Sequence, residues 1–127
     1  MGYLVVFFGA GIGGALRHGV NLASARVFGL GFPFGTLIVN VVGSLAMGLL
    51  AGYFAYRTGA PQHMRLFLTT GILGGFTTFS AFSLDAALLM ERHAYGLAAA
   101  YVAVSVAISL AALFAGLAYF HTESFIP

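Results

Sequence analysis

The sequence predicts an all-α membrane protein with four transmembrane helices. Of its 127 residues, 61% are hydrophobic and 6% are charged, whereas soluble domains carry roughly 25% charged residues. The mean hydropathy is +1.01, and four apolar stretches reach the roughly 20 residues that a membrane-spanning helix needs. We place the spans at about residues 3–25, 35–56, 64–90 and 95–120, within a single transmembrane domain of residues 1–127.

The charged residues and the lack of cysteine exclude several functions. The five basic side chains are scattered arginines, so there is no cluster that could neutralise the phosphates of a nucleic acid. Without cysteine the chain cannot form disulfides or thiolate metal sites. No basic region precedes the first apolar run, so we interpret it as a membrane helix and not as a cleaved signal peptide.

The first span carries small residues and one charge. Gly9 and Gly13 form a G-x-x-x-G pair, which lets another helix approach closely. Arg17 and His18 fall toward the end of the span, and we expect Arg17 to reach the membrane interface in preference to pairing with a backbone carbonyl.

The second span has one strongly polar residue, Asn40. Small or polar residues follow it at every fourth position: Ser44, Gly48 and Gly52. These residues share one helix face. Asn40 either joins two helices or faces a pore, where its amide would donate N–H groups to an anion.

The third span contains the segment GILGGFTTFSAFS at residues 71–83. Its glycines and hydroxyl residues favour helix poorly, so we predict that the third helix is broken in mid-membrane. A break is tolerated only where it is buried or lines a wet cavity, and breaks commonly mark ion or substrate sites. Alternatively, the glycines allow close packing and the hydroxyls bond to their own helix.

The fourth span shows two stripes of different character. Tyr101, Ser105 and Ser109 place three hydroxyls on one side of the helix. This register favours a polar track over isolated serines that hydrogen-bond to carbonyls of their own helix. The other stripe is made of alanines: Ala99, Ala103, Ala107, Ala111 and Ala115.

We expect disorder in the tail, residues 121–127.

The arginines are almost evenly divided between the two ends of the four spans, so they specify orientation weakly. Both orientations would then be inserted. We therefore predict an antiparallel, dual-topology homodimer, since two-fold dimers are the commonest symmetric assembly.

Four motifs stand out along the chain: GIGGALRH at residues 11–18, GTLIVNVVGS at residues 35–44, GILGGFTTFSAFS at residues 71–83, and the spacing of Tyr101, Ser105 and Ser109. Together they resemble the Fluc/CrcB fluoride channels. The resemblance implies a passive, highly selective fluoride channel that exports the ion and relieves fluoride toxicity. It also implies two antiparallel pores per homodimer and a multi-pass location in a prokaryotic plasma or inner membrane.

The resemblance further assigns roles to particular residues. It implies a structural Na⁺ at the dimer interface, held by the backbone carbonyls of Gly74 and Thr77. The residues that it implies along the fluoride path are Asn40, Thr78, Phe79, Ser80, Phe82, Tyr101, Ser105 and Ser109.

Three positions depart from the family pattern. Ala81 stands where threonine is common, which removes a hydroxyl near the break. Asp85 stands where glutamate is usual, and His18 stands where an aromatic residue is typical.

Two other functional classes stay open on sequence grounds. A small dual-topology, proton-coupled exporter would need a carboxylate inside the membrane, and Asp85 is the only acidic residue within a span. A non-transporting membrane assembly subunit would use Asn40 and the small faces for packing alone. An enzyme is not expected, because the histidines that could activate Ser80 or Ser83 all lie near span ends.

Overall fold

The computed structural model describes residues 1–56 and 59–123, and every regular element within these ranges is helical. Four segments are long and apolar enough to cross a membrane, which confirms the predicted all-α fold with four spans. The elements are α1 (Gly2–Phe28), α2 (Phe34–Tyr56), α3 (Gln62–Leu66), a π-helical segment (Phe67–Leu73), α4 (Gly74–Phe76), α5 (Phe79–Glu91) and α6 (Tyr95–Glu123).

The ends of the spans show how far the sequence-based boundaries hold. α1 stops at Gly29, whose φ of 78° suits glycine. α6 remains helical to Glu123, so the predicted disorder is wrong for residues 121–123. Residues 124–127, the rest of that tail, lie outside the described residues, as does Arg57.

Glycines bring α1 against the first half of the third span. A Cβ on Gly9 would lie 2.8 Å from the Gly71 Cα, and a Cβ on Gly13 would collide with the Ile72 carbonyl oxygen. Likewise, a Cβ on Gly75 would collide with the Ala10 carbonyl oxygen. The G-x-x-x-G pair therefore acts in helix packing, as predicted.

Glycines also join α2 to α6, which run in the same direction because they are the second and fourth spans. A Cβ on Gly48 would collide with the Leu113 carbonyl oxygen, and one on Gly116 would lie 2.6 Å from the Leu49 nitrogen. Contact this close brings α2 and α6 together beside the third span.

The third span departs from helical geometry at two threonines. Helical structure ends at Phe76 and resumes at Phe79, while Thr77 (φ −89°, ψ 159°) and Thr78 (φ −154°, ψ 120°) are extended. Gly71 and Gly75 lie in helical backbone and serve close packing. The packing interpretation is therefore the right one for these two glycines.

Candidate functional site

Asn40 of α2 is bound to Thr78 by a pair of hydrogen bonds. The Asn40 Nδ2 donates to the Thr78 carbonyl at 3.0 Å, and the Thr78 N–H donates to Asn40 Oδ1 at 2.8 Å. A backbone N–H can only donate and a carbonyl can only accept, so this pair fixes which end of the amide is oxygen. Gly43, one turn along α2, makes room for the Thr77 methyl group, with which a Cβ would collide.

The Thr78 hydroxyl caps the helix that follows. Its Oγ1 accepts from the Ala81 N–H at 3.1 Å, the usual bond of an N-cap threonine. On the other side of the interruption, the Thr77 N–H and Oγ1 donate to the Leu73 carbonyl at 3.0 and 2.9 Å. The two threonines thus end one helix and begin the next.

These hydrogen bonds engage two backbone N–H groups that would donate to backbone carbonyls in a continuous α-helix. In such a helix the Gly74 carbonyl would accept from the Thr78 N–H, which instead binds Asn40. The Thr77 carbonyl would accept from the Ala81 N–H, which instead binds the Thr78 hydroxyl. Both carbonyl oxygens therefore lose their α-helical donors.

Arg17 reaches the same region from α1. Its Nε donates to the Gly75 carbonyl at 3.1 Å, and the side chain is partly buried. The expectation that Arg17 extends to the membrane interface is wrong. The helix that contains Gly75 ends at Phe76, so the Gly75 carbonyl is available as an acceptor within the protein. A charged hydrogen bond of this kind is stronger than a neutral one.

A cavity of about 410 Å³, here called the site cavity, opens beside the interruption. None of its lining residues is ionisable, so it presents neutral polar groups among apolar walls. Those lining residues are Asn40, Gly43, Ser44, Met47, Thr77, Thr78, Phe79, Phe82, Ser105, Val106, Ser109, Leu110 and Leu113.

Two serines in the site cavity have buried hydroxyls with no partner in the described structure. They are Ser105, which is 5% exposed, and Ser109, one turn further along α6. Buried hydroxyls are nearly always hydrogen-bonded, so an unpartnered pair needs an explanation. Because they line a cavity, both can donate to whatever occupies it.

Two phenylalanine rings stand at different depths around the site cavity. Phe79 is 77% exposed at the surface of this chain, and Phe82 is partly buried. Their ring centroids are 5.7 Å apart and tilted by 51°. Most of the Phe79 side chain is therefore not in contact with other residues of this chain.

Tyr101 is fully buried but lies outside the lining of the site cavity. Its ring centroid is 5.2 Å from that of Phe82, and its hydroxyl donates to Asp85 Oδ2 at 3.1 Å. Asp85 lines a second cavity of about 660 Å³ near the α1–α2 loop, here called the end cavity, together with Glu91 and Arg92. The Phe82–Tyr101 ring pair therefore lies between the two cavities.

The structure brings most of the predicted path residues together. Asn40, Thr78, Phe79, Phe82, Ser105 and Ser109 all line the site cavity. Tyr101 and Ser80 do not line it, although the Ser80 Oγ lies 3.3 Å from the Thr78 Oγ1.

Sequence reasoning missed the contributions of Gly43 and Arg17. Gly43 precedes Ser44, a member of the small-residue face, but only the fold shows that Gly43 itself faces Thr77. Arg17 gave no signal for its carbonyl partner, which lies 58 residues away in the chain.

The described residues contain no group of three or more His, Cys, Asp or Glu side chains that could hold a metal. At the interruption, the backbone carbonyls of Gly74 and Thr77 have lost their helical donors. Uncharged oxygens of this kind suit hard cations.

Comparison with known proteins identifies relatives over nearly the whole chain. The family described as "CrcB-like protein, Camphor Resistance (CrcB)" matches residues 4–117.

Individual relatives are similar along almost their entire length. A fluoride-specific ion channel FluC of Rhodopseudomonas palustris (strain BisB5) is 64% identical over 118 residues, covering 93% of this chain and 95% of the relative. One from Methylobacterium nodulans is 69% identical over 115 residues, covering 91% and 92%. Another, from Hyphomonas neptunium, is 54% identical over 117 residues, covering 91% and 92%.

Proposed function

We propose that this chain, which belongs to the CrcB family, is a passive and highly selective fluoride channel that exports the ion and relieves fluoride toxicity. The chain is a multi-pass bacterial membrane protein, and its relatives are named as ion channels, not as enzymes. The observation that carries the proposal is the pair of buried, unpartnered hydroxyls of Ser105 and Ser109, which face a cavity without ionisable groups.

The chemistry of the site cavity suits a small, strongly hydrated anion. A channel must replace water around the ion with donors that do not hold it too tightly. The Ser105 and Ser109 hydroxyls and one N–H of Asn40 are neutral donors of this kind. The Phe79 and Phe82 rings carry positive edges, which can meet an anion where the passage is apolar.

The exposed surfaces of the single chain support an antiparallel homodimer with two pores. Phe79 is 77% exposed although it lines the site cavity, so a second chain would complete the wall. Arg17 lies within α1 and is partly buried against the third span, so it is not a loop charge. By sequence, Arg26 and Arg92 then flank one end of the spans, and Arg57 and Arg65 flank the other. Two arginines at each end give no orientation bias, which supports dual topology.

We place the interruption at membrane depth and assign it a structural Na⁺ at the dimer interface. Thr77 and Thr78 lie near the middle of the Gln62–Glu91 span. The carbonyls of Gly74 and Thr77 fit this role, because their helical donors are diverted and Gly74 is exposed at the surface of this chain, where a second chain would meet it. When bound, the ion would supply positive potential beside the anion path.

A proton-coupled exporter is less well supported by the same contacts. Such a protein needs a carboxylate that exchanges protons at its substrate site. Asp85 lines the end cavity and accepts a hydrogen bond from Tyr101, while the site cavity has no carboxylate among its lining residues.

Ion efflux from liposomes tests the proposal directly. Purified protein is reconstituted into liposomes loaded with fluoride or chloride, and efflux is recorded with ion-selective electrodes. We expect fast fluoride efflux and little chloride efflux, with Phe82→Ile slowing fluoride efflux while the protein stays dimeric. Phe114→Ile is the matched control, because Phe114 is 63% exposed and does not line the site cavity. A well-folded protein without fluoride efflux would overturn the proposal.

A further inference from the structure

We infer that Asn40 and Thr78 are positioning residues for the Na⁺ site. Their side chains bind two backbone N–H groups that would otherwise hydrogen-bond to the carbonyls of Gly74 and Thr77, the proposed Na⁺ ligands. This role rests on the proposed channel function, in which the cation belongs to the dimer. Neither side chain contacts the cation itself.

The Gly74 carbonyl depends on Asn40. The Thr78 N–H, its donor in a continuous helix, is held by Asn40 Oδ1 at 2.8 Å, and the reciprocal bond from Asn40 Nδ2 to the Thr78 carbonyl measures 3.0 Å. Two bonds from one planar amide keep Thr78 in its extended conformation. Removing the amide would let the Thr78 N–H return to the Gly74 carbonyl.

The Thr77 carbonyl depends in the same way on the Thr78 hydroxyl. Thr78 Oγ1 takes the Ala81 N–H at 3.1 Å, and this N–H is the donor that a continuous helix would give to the Thr77 carbonyl. Replacing the hydroxyl with a methyl group of the same shape removes this acceptor, so that the Ala81 N–H can pair with the Thr77 carbonyl when Thr78 turns helical. One carbonyl is thus released by each side chain.

Asn40 also connects the cation site to the anion path. Its amide has two N–H groups, and one of them is donated to the Thr78 carbonyl. The other is left for the site cavity, which Asn40 lines. A substitution at Asn40 therefore changes both sites. Thr78 also lines the site cavity, so the state of the carbonyls is read from Na⁺ binding and not from efflux.

The test is the dependence of thermal stability on Na⁺, which does not require transport. Purified protein is unfolded at increasing NaCl, with N-methylglucamine chloride keeping the ionic strength constant. Because Na⁺ would bind only the folded dimer, the melting temperature of the native protein should rise with Na⁺. For Thr78→Val we expect the Na⁺ concentration of half-maximal stabilisation to rise about tenfold, the effect of one competing hydrogen bond.

Two control variants separate this effect from a general loss of stability. Thr78→Ser keeps the hydroxyl and should retain the native Na⁺ response. Thr69→Val makes the same chemical change at a threonine whose hydroxyl bonds to its own helix, to the Arg65 carbonyl at 2.7 Å, and should also respond as the native protein does. Asn40→Ala is the second test variant if Thr78→Val does not fold, and it should weaken the Na⁺ response similarly.

A native Na⁺ response in both Thr78→Val and Asn40→Ala would overturn the inference, as would the lack of any Na⁺ response in the native protein. Fluoride efflux of the native protein, measured in parallel, distinguishes the two proposals. Efflux without a Na⁺ response contradicts the cation site alone, and the lack of efflux contradicts the channel.

Discussion

Arg17 and Gly75 are joined by a hydrogen bond of 3.1 Å from the Arg17 Nε to the Gly75 carbonyl, which ties α1 to the last helical turn before the interruption. Replacing this partly buried arginine with methionine removes a charged donor and leaves the carbonyl unpaired. We expect Arg17→Met to lower the free energy of unfolding by about 2 kcal/mol. Denaturant unfolding of the detergent-purified protein would measure the change.

Arg26 provides the matched control on the same helix. It is exposed in the last turn of α1, and its replacement by methionine should change the free energy of unfolding far less. Equal effects of the two substitutions would show that the Gly75 contact contributes little.

Ser105 and Ser109 should separate transport from stability. Their hydroxyls have no partner in the described structure, so Ser105→Ala and Ser109→Ala remove no protein hydrogen bond. We expect the free energy of unfolding to fall by less than about 1 kcal/mol and fluoride efflux to slow by roughly tenfold, because one donor to the ion is lost.

The exposed Ser83 of α5 is the control for both serine variants, since it does not line the site cavity. Ser83→Ala should leave fluoride efflux at the native rate. Native efflux in Ser105→Ala and Ser109→Ala would show that these hydroxyls do not serve the anion.

Tyr101 should behave differently from the two serines. Its single O–H already donates to Asp85 Oδ2 at 3.1 Å. For Tyr101→Phe we therefore expect fluoride efflux within about twofold of native, together with a loss of stability of about 1 kcal/mol. Efflux measurements on Tyr101→Phe and Ser105→Ala side by side make the comparison, and a Tyr101→Phe channel as slow as Ser105→Ala would refute this division of roles.

Gly13 tests the packing of α1 against the third span. A Cβ on Gly13 would collide with the Ile72 carbonyl, whereas a Cβ on Gly11 would meet no atom of this chain within 4 Å. Overpacking against rigid backbone costs about 1–3 kcal/mol. We expect Gly13→Ala to lower the melting temperature clearly and Gly11→Ala to leave it near native. If both variants melt alike, the close approach seen at Gly13 is not needed for stability.

Much of the fold follows from periodicity and composition. Four apolar stretches predicted four spans, and the observed boundaries lie within a few residues of the predicted ones. The glycine pair of the first span predicted close packing because a missing Cβ permits contact whatever the partner is. The π-helical segment Phe67–Leu73 and the extended pair Thr77–Thr78 were not predicted individually, since glycine content shows weak helix preference but not which backbone bonds are replaced.

Sequence alone determined that the chain is a four-span membrane protein of the CrcB family and that Asn40, Phe79, Phe82 and the serines of α6 are the candidate path residues. Only the tertiary structure decided the partners: Asn40 with Thr78, Arg17 with Gly75, and Tyr101 with Asp85. The physical reason is that residue type determines which hydrogen bonds a side chain can make, whereas the packing of distant helices determines which of them it does make. Tertiary packing brings the Asn40 amide to the Thr78 N–H and so diverts the helical donor of the Gly74 carbonyl, whereas the Thr78 hydroxyl, a local N-cap, diverts the helical donor of the Thr77 carbonyl.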